Sequence, residues 1–68
     1  MYQVTALYLG NEEIAYAEGD DYKACIGEVI AGIPAMYPIE DVKLAAISDN
    51  CAHTFMIDAT LYADQRIV

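Results

Sequence analysis

Apolar residues recur along the chain with two different periods, and the period changes at Asp20. Beyond it come Tyr22, Cys25, Ile26, Val29, Ile30 and Ile33, at the steps of three and four that line one face of an α-helix. The spacing predicts a helix from Asp20 to Gly32. Asp20 stands where an N-cap belongs, because its carboxylate can accept from the unpaired N–H groups of the first turn. Asp21 adds negative charge at the positive end of the helix dipole. Gly32 suits the left-handed residue that ends a helix, and Pro34 cannot continue one. Gly27 costs about 1 kcal/mol against Ala in a helix interior. It marks either a close approach to another backbone or a tolerated defect. A helix this short is marginal alone, so the rest of the chain must bury its stripe.

Before Asp20 the pattern alternates. Tyr2 to Leu9 reads as a strand rich in β-branched and aromatic residues. Gly10-Asn11 reads as a two-residue turn, since both residues tolerate positive φ, and Glu13 to Glu18 as the returning strand, broken at Gly19. That turn sets Leu9 opposite Glu12, Leu7 opposite Ile14, Thr5 opposite Tyr16 and Gln3 opposite Glu18. On the other face Tyr8 meets Glu13, Ala6 meets Ala15 and Val4 meets Ala17. Both faces are then apolar. One is bulky, with Leu7, Leu9, Ile14 and Tyr16. The other is small, with Val4, Ala6, Ala15 and Ala17 bordered by Tyr2 and Tyr8. The bulky face is the one expected against the helix.

After the helix, residues 33–40 form a connection punctuated by Pro34 and Pro38. Ile33, Met36, Tyr37 and Ile39 are expected to tack it to the core. Asp41 to Ile47 is a third strand, Ser48-Asp49-Asn50 a turn, and Cys51 to Ala59 a fourth strand. With Asp49-Asn50 as the loop, Val42, Leu44 and Ala46 face Ile57, Phe55 and His53 on the inside. Lys43, Ala45, Thr54, Met56 and Asp58 lie outside. Residues 60–68 fit a short helix or a strand extension, with Ile67 and Val68 a last strand segment or a docked end. The order is ββαββ over a single domain, residues 1–68. It is an α+β two-layer sandwich: one amphipathic helix on a mainly antiparallel sheet of four or five strands. A helix covers one sheet face and nothing in the chain is assigned to the other.

Composition sharpens this in one respect. The chain has 68 residues, 57% of them apolar. A domain of this size buries only about 60% of its unfolded surface, so some apolar surface is left for a partner or a second copy. No run approaches the ~20 apolar residues of a membrane span. The N-terminus lacks the pattern of a secretory signal, and the expected location is cytoplasmic. Eleven acids against three bases give a net charge of −8. Direct contact with nucleic-acid phosphates needs Lys and Arg, so it is excluded, as is an anionic membrane surface. A basic protein surface is favoured, against the plainer reading that the charge keeps a small protein soluble.

Candidate chemistry changes the picture little. Cys51-x-His53 with Cys25 offers three ligands to zinc, but no spacing supplies a fourth. Cys with His as nucleophile and base needs a cleft and an oxyanion donor. Two cysteines are too few for a disulfide scaffold, and both read as small apolar groups. The pairs Glu12-Glu13, Asp20-Asp21 and Glu40-Asp41 are sequence neighbours and point apart on a strand. Glu18 and Asp20 are spaced like successive phosphates of one strand, about 6.6 Å, with Gly19 interrupting. No catalytic residue, metal or cofactor is therefore assigned, and the expected protein is not an enzyme.

The acids and tyrosines remain. Glu12 and Glu13 mark one end of the first hairpin; Glu18, Asp20 and Asp21 mark the other. Among six tyrosines, Tyr2 and Tyr8 border the small face, and tyrosine is common at interfaces. These seven residues are the expected partner-binding set. The expectation is a protein-binding inhibitor whose acidic surface occupies the basic, nucleic-acid-binding groove of a partner. Small stand-alone inhibitors, including phage proteins of the anti-restriction and anti-CRISPR kind, share this form and acidity as a class. The alternative is an assembly module that homodimerises through its uncovered sheet face or an edge strand.

Overall fold

The computed structural model describes residues 1–47 and 54–66. Strands β1 (Tyr2–Tyr8) and β2 (Glu12–Gly19) form an antiparallel hairpin. Its turn is Leu9-Gly10, with φ of 53° and 82°, closed by the Asn11 N–H donating to the Tyr8 carbonyl at 3.2 Å. That is one residue earlier than the expected Gly10-Asn11. The Leu9 N–H also donates to the Asp41 carbonyl at 2.9 Å. This bond across to the start of the third strand helps hold a leucine where a Cβ costs about 1–2 kcal/mol.

The early turn is offset by a bulge. Thr5 pairs with Tyr16 and Ala6 with Ala15 as expected, but Leu7 pairs with Glu13 and Tyr8 with Glu12. Ile14 is the extra residue of β2, and both Ile14 and Ala15 pack against the core. Leu9 sits in the turn, 65% exposed. The bulky face thus loses two of its four members, and the helix packs on the other one. Val4, Ala6 and Ala17 are buried there, because side chains this small let a helix come close to the sheet. The expected face assignment is reversed.

Helix α1 spans Tyr22–Gly32 and buries Cys25, Ile26, Val29 and Ile30. Its N-cap is Asp21, not Asp20. Asp21 has extended backbone, and its carboxylate accepts from the N–H groups of Lys23 at 3.0 Å and Ala24 at 3.2 Å. Asp20 lies outside the helix with its side chain in solvent, 3.8 Å from the N-terminal ammonium. Gly32 is the last helical residue and has no positive φ. The turn stops because buried Ile33 goes extended before Pro34. Gly27 does mark a close approach, but to a side chain: a Cβ there would lie 3.0 Å from the Gln65 amide oxygen.

In the connection Tyr37 and Ile39 pack against the core, while Met36 is 79% exposed and tacks nothing down. A 3₁₀ turn, Ile39–Asp41, leads into β3 (Val42–Ile47), which pairs antiparallel with β1 and with β4 (Thr54–Asp58). Leu44 pairs with Ile57 and Ala46 with Phe55, two residues off the expected register. An even shift keeps every residue on its face, so the inside and outside of this hairpin stand as expected. The expected turn at Ser48-Asp49-Asn50, with Cys51 and His53, lies outside the described residues, as do Ile67 and Val68.

The sheet order is β2-β1-β3-β4. β2 and β3 both run antiparallel to β1, so they are parallel to each other, and α1 makes the crossing between them. The architecture is α+β, one main helix on four antiparallel strands. Among the described residues the chain after β4 takes the first of its two expected forms, a short helix. It is a 3₁₀ segment, Ala59–Gln65, kinked at Tyr62. Ala59 is fully buried, and the segment packs against α1 and β3. The Arg66 guanidinium donates to the Pro34 carbonyl at 2.8 Å and closes the tail onto the connection. Helix and tail together cover one face of the sheet. No helix among the described residues is long and apolar enough to cross a membrane.

Candidate functional site

The face of the sheet turned away from α1 is built by strand alternation from three cross-strand rows. Tyr16, Thr5, Ala45 and Met56 form the middle row. Glu18, Gln3, Ile47 and Thr54 form the row toward the N-terminus of β1, and Glu13, Leu7, Lys43 and Asp58 the row toward its C-terminus. None of these side chains is buried. Tyr16 is 49% exposed and Met56 58%. Apolar and charged side chains lie side by side on this face, with Leu7 between Glu13 and Lys43. Leu7, Ala45, Ile47 and Met56 lie along β1, β3 and β4, and the carboxylates of Glu13 and Glu18 stand on β2 at one edge. The opposite edge carries Asp58, which is ion-paired with Lys43.

Tyr16 ties the acidic edge together. Its hydroxyl donates to Glu18 Oε2 at 2.8 Å, and that bond to a carboxylate raises the phenol above its ordinary value, with burial and the charges of Glu18 and Glu13 acting in the same direction. A tyrosine held this way presents a fixed ring and a neutral tip beside two negative charges.

The expected partner-binding residues are divided by the fold. Glu13 and Glu18 share the open face. Glu12 is on the helix side, where the Tyr37 hydroxyl donates to its Oε2 at 2.9 Å. Asp20 and Asp21 lie past the end of β2, which runs on through Gly19. Asp21 is committed to capping. Tyr2 and Tyr8 sit on the covered side, half-buried. Tyr2 packs on Tyr22 with ring centroids 5.3 Å apart, and Tyr8 on Tyr37 at 4.8 Å. They border the core, and the tyrosine of the open face is Tyr16. The signal that would have found it is its two-residue spacing from Glu18, which places both on one face of a strand.

Chemistry elsewhere is sparse. Cys25 is buried, and burial first, then the carboxylates of Glu28, Asp21, Asp20 and Glu18, push its thiol up. A thiol in that state is a poor nucleophile. Among the described residues no three His, Cys, Asp or Glu side chains are grouped to hold a metal ion. An apolar cleft of about 440 Å³ lies between Tyr2 and Tyr22 on one side and Phe55, Met56 and Ile57 on the other. Its titratable groups are phenols, and burial raises that of Tyr22.

Cys25, Tyr16, Tyr22 and Tyr37 all hold their protons more tightly when folded. Their contribution to stability is complete below the ordinary thiol and phenol range and is lost as pH rises through the raised folded values. Urea midpoints should therefore be level between about pH 7 and 8.5 and fall beyond about pH 9. A midpoint that rises over the alkaline range would contradict this.

Comparison of the chain with protein-family models, with curated proteins and with solved structures returned no match.

Proposed function

We propose that the protein is a non-catalytic binding module whose open sheet face docks on a basic protein surface. The observation that supports this reading is the pairing of an apolar strip with Glu13, Glu18 and the hydrogen-bonded Tyr16 on the face turned away from the helix, where none of the described side chains is buried, in a chain of net charge −8. Contiguous apolar area beside fixed charge is what an interaction surface requires. The finer reading, an inhibitor that fills a nucleic-acid-binding groove in the manner of phage anti-restriction or anti-CRISPR proteins, rests on the charge. The acids then stand in for phosphates, and the site of action is cytoplasmic.

The test is kinetic. A partner captured at low salt should associate more slowly as salt rises, because screening acts over about 8–10 Å. The double variant Glu13→Lys/Glu18→Lys should lower the association rate by roughly tenfold or more, within the range that steering supplies. Asp20→Lys, off the face and outside the helix, is compared with either single variant, Glu13→Lys or Glu18→Lys, as the control for an equal change of net charge. Asp21 is unsuitable, since its loss removes the cap and about 1 kcal/mol of stability. An association rate indifferent both to salt and to the double variant would end the proposal.

A further inference from the structure

The two edges of the sheet differ in kind. β2 carries Glu12, Glu13 and Glu18 within one strand and is interrupted by the bulge at Ile14. Laid antiparallel on a copy of itself about its midpoint, β2 would set Glu13 opposite Glu18. Like charge and a bulge are both devices that keep an edge from adding strands. β4 has neither. Its register with β3 is unbroken, and its one carboxylate, Asp58, is ion-paired with Lys43. Two of its side chains, Phe55 and Met56, are more than half exposed.

We propose that β4 is the edge at which two copies of this chain pair, antiparallel about a two-fold axis at Met56, to make one eight-stranded sheet. In that register Met56 lies opposite Met56 of the second copy, Phe55 opposite its Ile57 and Thr54 opposite its Asp58. Side chains directly opposite in an antiparallel pair share a face. Phe55 and Ile57 therefore meet on the helix side, where both already line the apolar cleft with Tyr2 and Tyr22. The two methionines meet on the open face. Asp58 meets a threonine hydroxyl, not another carboxylate. No like charges are opposed, and the pattern reads the same from either strand, as an isologous contact demands. That self-complementarity selects a second copy over an unrelated strand.

The charge sets the sign of the salt effect. Two chains of net charge −8 repel, so added salt tightens this dimer. Capture of a basic partner has the opposite sign, and the two proposals can fail separately. A five-residue strand makes a contact at the small end of specific interfaces, so the dimer is a reversible one.

Sedimentation from about 10 μM to about 1 mM, at roughly 0.05 and 0.5 M NaCl, should show a dimer that grows with concentration and with salt. Met56→Lys, which sets two ammonium groups at the axis, should weaken it about tenfold or more with an unchanged circular dichroism spectrum. Tyr16→Lys, near the other edge of the same face, should leave it intact. In the unaltered protein, amide exchange of residues 54–58 should slow with concentration while that of residues 12–19 does not. The exchange measurement decides the matter even if Met56→Lys fails to fold. A monomer throughout overturns the proposal. So does a dimer that salt dissolves, or one that Tyr16→Lys disrupts and Met56→Lys does not. Addition of a foreign strand to β4 without self-association overturns it as well.

Discussion

Ile30→Ala should lower the urea midpoint of the protein more than any other single change considered for its core, at a cost of about 2–5 kcal/mol. Ile30 is fully buried on α1, among Ile26, Val29 and the sheet residues Val4 and Leu44 of the core. Truncation removes three methyl or methylene groups and leaves a cavity that a two-layer fold closes only in part. The cost for such a site is about 2–5 kcal/mol. Total stability for a chain of this length is about 3–10 kcal/mol, from roughly 0.05–0.15 kcal/mol per residue. The substitution therefore removes about a fifth or more of what holds the fold. Urea titration followed by circular dichroism measures it. A midpoint that does not move would take Ile30 out of the core and rotate the helix on the sheet.

The second large effect tests which face the helix covers. Ala6 is fully buried under α1, on the central strand. Ala6→Leu adds three heavy atoms at a fully buried position on the helix side of the sheet, and overpacking of this kind costs about 1–3 kcal/mol. Thr5→Leu, one residue away, points to the open face between Tyr16 and Ala45. It should change stability by about 0.5 kcal/mol or less. Comparing the two by thermal and urea unfolding gives a direct readout. Equal losses from both would mean that each face is packed. A loss from Thr5→Leu alone would put the helix on the side first expected from the bulk of Leu7 and Tyr16.

The helix and the second hairpin were legible in the sequence because their patterns tolerate small errors. A stripe at Tyr22, Cys25, Ile26, Val29 and Ile30 defines its face whether the cap is Asp20 or Asp21. Phe55 and Ile57 stay inside after a register shift of two. The first hairpin has no such tolerance. Both of its faces are apolar, so alternation alone does not choose between them. A turn that starts at Leu9 and a bulge at Ile14 take two residues out of the bulky face, and the turn is held in part by a hydrogen bond to Asp41, far along the chain. The tail was ambiguous because Leu61, Tyr62 and Ala63 have no decisive period. Its form comes from contact with α1 and β3, with Gln65 at Gly27 and Arg66 on Pro34. For the candidate site, Glu13 and Glu18 were readable as exposed acids. Tyr2 and Tyr8 lie on the small face as expected, but the helix covers that face, and the same reversal leaves Tyr16 on the open one.

The central position of β1 has a consequence for how the chain is made. β1 leaves the ribosome before the strands it pairs with, and its second neighbour, β3, is complete only when Ile47 has been added. Until then Val4 and Ala6 can be covered by α1 and paired by β2 on one side only. The Asp41 carbonyl that receives the Leu9 N–H is also missing for most of that interval. A nascent chain stopped before residue 41 holds a hairpin and a helix with the middle strand of the finished sheet exposed as an edge. Pairing that spans some 40 residues is slow to find, and an open apolar strand is vulnerable while it waits. Productive folding is thus tied to the arrival of the third strand, after the first hairpin and the helix.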